Sequence, residues 1–94
     1  MTTQRPLSDF PSAAGVQSPM GACGIMKHFA ALGAKEIEEE ERRLGFLNDR
    51  LRNESDPVKA EQLRQDIAAL EAELESDRLA QTVIEEEISA RCGP

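Results

Sequence analysis

The chain has 94 residues, so it forms one small domain at most, and its aromatic side chains are only Phe10, Phe29 and Phe46. A chain this short buries about 60% of its unfolded surface, which leaves a thin core. With 18 acidic against 11 basic residues, a formal net charge of −7 and neither Trp nor Tyr, it is poorly suited to neutralising phosphate backbones or stacking on bases. No apolar run is long enough to span a bilayer. The expectation is therefore no nucleic acid and no membrane.

Residues 1–24 contain three of the prolines, three of the glycines and only two charges, Arg5 and Asp9. They read as a flexible N-terminal arm, with Leu7 and Phe10 available as a short docking segment. Arg5 is not followed by the apolar stretch of a secretory signal, and Pro6 and Pro11 interrupt the region. A cytoplasmic protein is the expectation.

The remainder, 25–94, is helical in pattern. Ile37, Leu44, Leu47 and Leu51 recur at heptad intervals with an interruption at Glu40. Leu63, Ile67, Leu70, Leu74, Ile84 and Ile88 form a second stripe, in which Asp77 and Gln81 occupy the intervening positions. The two stripes are out of phase: extending the first predicts core positions at 58, 65 and 72. A break in the chain accounts for the shift, and Asn53-Glu54-Ser55-Asp56-Pro57 supplies one. Asp56 suits an N-cap, and Pro57 suits the first helical position, where its missing N–H costs nothing. The prediction is a helix over about 25–52, a turn at 53–56 and a helix over about 57–91. Helices joined by so short a turn run antiparallel. The fold class is thus all-α: a long, coiled-coil-like two-helix hairpin.

Facing the stripes across the hairpin pairs Leu47 with Leu63 or Arg64, Leu44 with Ile67 and Ile37 with Leu74. It also sets Leu32 near Leu79 and Cys23 near Ile88. Ile25, Phe29, Leu32, Leu79 and Val83 fall off the stripes at the open end. A two-helix seam alone is a weak basis for stability at this size. These five residues therefore predict an interaction surface, covered by a second copy in a four-helix bundle or by a helical protein partner. Packing under the chain's own arm is the alternative.

Three further features bear on chemistry. Cys23 and Cys92 come to the same end of the hairpin, which permits free thiols, an intrachain or intermolecular disulfide, or metal binding. With His28 and one of Glu85, Glu86 or Glu87 they would make four zinc ligands, although the spacing matches no known finger or ribbon. That set is the basis of a redox- or zinc-linked sensor reading. The acidic run Glu38–Glu41, opposite Glu71, Glu73 and Glu75, reads as a solvated face, with Glu38–Arg42 and Glu39–Arg43 at supportive spacing. A basic partner or a weak divalent-ion site is the sharper alternative for it. No calcium-loop motif occurs, and Glu40 within the stripe suggests a wet layer that sets register.

The acidic tip, Glu54 and Asp56 ahead of Pro57, on a long antiparallel hairpin is similar in outline to RNA-polymerase secondary-channel factors of the DksA and Gre type. The resemblance implies a regulator whose tip carboxylates reach into a larger machine. It covers residues 53–60 and the hairpin shape, and the chain departs from it in having neither a four-cysteine zinc site nor an anchoring globular domain. Walker, GxGxxG, GxSxG and HExxH motifs are all missing. The functional expectation is a non-enzymatic interaction module without a cofactor.

Overall fold

A computed structural model describes residues 21–93 and consists there of two helices, α1 (Gly21–Arg52) and α2 (Pro57–Cys92), packed on one another as a hairpin. The helices hold 32 and 36 residues, so each arm is roughly 50 Å long at 1.5 Å per residue. α1 begins one turn earlier than the composition break implies, and Gly21–Gly24, assigned above to the arm, are helical. The expected docking segment around Leu7 and Phe10 lies outside the described residues.

The turn is closed by local chemistry. At the end of α1, the Asn53 and Glu54 amides donate to the carbonyls of Arg50 and Leu51, each at 3.2 Å. Tighter bonds of this i→i−3 kind use carbonyls that would otherwise lack partners at a helix end. Arg50 and Arg52 lie in the last turn, where cations favour the helix dipole. Asp56 then adopts extended backbone (φ −79°, ψ 119°), and its side chain accepts the Val58 amide at 2.9 Å. Pro57 follows in the first turn of α2. α2 stops at Gly93, whose φ of 69° is left-handed and free of strain in glycine.

Among the described residues the buried apolar ones are Ala60, Leu63, Ile67, Leu70 and Leu74, all on the half of α2 nearest the turn. Ile37, Leu44, Leu47 and Leu51 of α1, and Ile84 and Ile88 of α2, are only half-buried. The expected pairing needs correction. Cys23 lies not opposite Ile88 but one turn further on, bonded to Cys92. The disulfide requires the two cysteines to be neighbours, which sets the partner of Cys23 at this end. Gln81, by contrast, bonds to Ala30 in step with the expected Leu32–Leu79 pairing, and lies beside Gly33.

The Cys23–Cys92 disulfide, with its Cα atoms 5.8 Å apart and 69 positions apart in sequence, joins the open ends of the arms. Closing a loop of this length removes about 4 kcal/mol of unfolded-chain entropy. Reduction, or a Cys23→Ser substitution, is expected to lower the melting temperature by at least roughly 10 °C for a domain of this size. Circular dichroism melts with and without reductant measure it, and coincident melts would contradict it.

Candidate functional site

Extending the 3,4 spacing of α1 back from Leu51 gives Leu47, Leu44, Glu40, Ile37, Gly33, Ala30 and Met26. The seam is therefore continuous, but besides Ile37 its outer part is made of a carboxylate, two small residues and a methionine. These residues carry little of the apolar signal by which a heptad is recognised, and the seam cannot be as dry there as beside the turn.

Glu40 is the one buried residue of α1, with 4% of its surface exposed. Across the hairpin it meets Glu73 and Asp77, which are four residues apart on one face of α2. One carboxylate oxygen from each of the three lies within 4.8 Å of the others. Hydrogen bonding with Asp77, then burial, then the charges of Asp77, Glu73 and Glu36 push the Glu40 carboxyl from an ordinary 4.5 up to about 7. Its Oε1 is, among the described residues, the buried side-chain polar atom without a hydrogen-bond partner.

The next polar layer is Gln81. Its amide donates to the Ala30 carbonyl on the other helix at 2.7 Å and to Glu85 at 3.0 Å. Gly33 makes this reach possible, because a Cβ there would overlap Gln81 Oε1. An Arg78–Glu41 ion pair at 2.6 Å bridges the helices on one flank. It is solvent-exposed on both sides, so its contribution to stability is small.

The five residues expected to form an interaction surface divide between faces. Phe29, at 57% exposure, lines a groove with Gly33, Glu36, Ala80, Gln81 and Ile84. Leu32 is exposed on the same flank, and Ile25 is half-buried. Leu79, at 65%, lines a different groove of about 690 Å³ with Leu44, Gly45, Leu74, Arg78 and Thr82. At about 100° per residue, Val83 lies well round α2 from the seam toward the Phe29 flank, and it is exposed. Phe46 and Val58 are also exposed but lie near the turn. Extension of the first stripe would make Val58 a core position, but it is 77% exposed.

The other sequence-derived groups are placed as follows. Both cysteines are committed to the disulfide, so neither offers a thiolate to a metal in this state. His28 is exposed beside Phe29, with ring centroids 5.8 Å apart. Of the acids considered with it, Glu85 accepts from Gln81 and Glu87 pairs with Arg91. At the tip, a Glu54 carboxylate oxygen accepts the Asp56 amide at 3.2 Å and Asp56 caps α2. Both tip acids thus bond to local backbone.

No helix among the described residues is long and apolar enough to cross a membrane. Comparison of the chain with protein families, with curated proteins and with solved structures gives no match.

The Glu40 shift fixes a pH dependence. A carboxyl that holds its proton more tightly folded than unfolded favours folding while protonated. Stability should therefore rise as pH falls from about 7 toward 4.5, and the benefit should vanish above 7. In chelator-containing buffer the melting temperature is expected to increase from pH 8 to pH 5, and Glu40→Gln should flatten that increase. An unaltered slope in the variant would show that other groups cause it.

Proposed function

We propose that this protein is a non-enzymatic association module that pairs with a second copy of itself through the open half of the hairpin, giving a four-helix bundle. The observation that carries this reading is a coincidence of place. The half beyond Glu40 and Leu74 contains none of the buried apolar residues, and the same half exposes Phe29, Leu32, Leu79 and Val83. A seam that lacks a core and carries bare apolar side chains gains from being covered. The occupant is a second copy because a two-helix layer with an incomplete core completes it most simply by self-pairing. The Phe29, Leu32 and Val83 flank is the face that would be covered.

Charge supports the same choice and gives it a signature. Copies that each carry −7 repel, so self-association should tighten as salt rises, whereas binding to a basic partner should weaken. A cytoplasmic setting is proposed with this reading. In that setting the thiol pool would act on the disulfide. This favours a second, redox-linked version of the module in which reduction loosens the open end. No comparable observation favours insertion of the tip into a larger machine.

The test is solution mass by light scattering, with and without reductant. The expected result is a dimer whose mass persists at high salt, and a monomer when Leu32 and Val83 are both replaced by Lys with helicity retained. A monomeric wild-type protein would overturn the proposal and point instead to cover by residues 1–20 or by a different protein.

A further inference from the structure

We propose that Glu40, Glu73 and Asp77 form a binding site for a divalent calcium-class cation, held between the two helices at the middle of the hairpin. The site needs only the single hairpin and does not depend on self-association.

Glu40 occupies a heptad position where leucine would complete the α1 seam, and it is buried there with Oε1 unpartnered. A buried carboxylate is unfavourable unless a cation or donors compensate it. The ion pairs among the described residues take Arg52, Arg64, Arg78 and Arg91 to other carboxylates, and none involves Glu40, Glu73 or Asp77. A proton shared between Glu40 and Asp77 would satisfy one contact and leave the remaining oxygens facing each other.

A cation satisfies all three. The carboxylates converge from both helices, with one oxygen of each within 4.8 Å of the others. Oxygens that bind one ion cannot be further apart than twice the metal–oxygen distance, about 4.6–5.2 Å for calcium and roughly 4.1 Å for magnesium. The three oxygens lie within the span that one calcium ion can bridge. An all-oxygen set of three carboxylates also selects hard cations over zinc or copper. Glu73 is exposed and Asp77 half-buried, which leaves an open side for the waters that would complete the coordination.

With three ligands and no dedicated loop, the affinity should be modest, on the order of 10⁻⁴ M. The test compares thermal melts in 5 mM calcium chloride and in chelator, at matched ionic strength and pH 8, for wild type, Asp77→Asn and Glu40→Leu. In wild type, calcium should raise the melting temperature by at least about 5 °C. Both variants should lose that rise, and Glu40→Leu should melt higher than wild type in chelator because it completes the apolar seam. Calorimetric titration of wild type with calcium chloride should give one site per chain. Equal wild-type melts in calcium and chelator would overturn the proposal. So would a full calcium response in either variant, which would assign the effect to general screening of the acidic surface.

Discussion

Two helices that touch along a single seam bury only what the seam residues supply, and here the supply changes at Glu40. Between the turn and that layer, α2 contributes Ala60, Leu63, Ile67, Leu70 and Leu74, all buried. Beyond it, the α2 seam continues through Asp77 and Gln81 before returning to Ile84 and Ile88, and none of these is fully buried. The heptad rhythm keeps the helices in register along their length. The chemistry at the seam decides how firmly each part holds, and most other features follow from that division.

In the outer half, directional contacts take over from apolar burial. Gln81 can reach the Ala30 carbonyl because Gly33 leaves room for its side chain. Helix propensity argues against glycine there by about 1 kcal/mol relative to alanine, an amount comparable to the net value of one hydrogen bond. The Gly33–Gln81 arrangement therefore adds little stability, and its clearer consequence is register. The disulfide acts differently, since it restricts the unfolded chain and closes the end furthest from the turn. The proposed self-pairing would cover what both leave bare, and the proposed cation would relieve the carboxylates at the boundary.

The sequence made the hairpin legible because Asp56-Pro57 is a strong helix start and because leucine and isoleucine mark the seam near the turn. The outer α1 seam was harder to read, since Ala30 and Gly33 give no apolar signal and only extension of the rhythm from Leu51 finds them. The expected register was off by about a turn at Cys23, where the disulfide sets the partner. Glu40 stood out as an interruption, but its neighbours depended on that register and so became clear only with the fold. The acidic run suggested Glu38–Glu41 against Glu71–Glu75 as a patch. The structure instead brings together Glu40, Glu73 and Asp77, the last of which lies outside that patch. Leu79 and Phe29 looked like one surface in sequence because distance along the arms was legible and position around them was not.

The central claim is that the half near the turn stands on its own seam while the open half depends on cover by a second copy. Amide hydrogen exchange of the oxidised protein, followed over a wide range of protein concentration, tests this most directly. Protection of residues 60–74 should be independent of concentration, whereas protection of residues 25–36 and 79–90 should rise as concentration increases. Open-half protection that stays constant across that range would contradict the account.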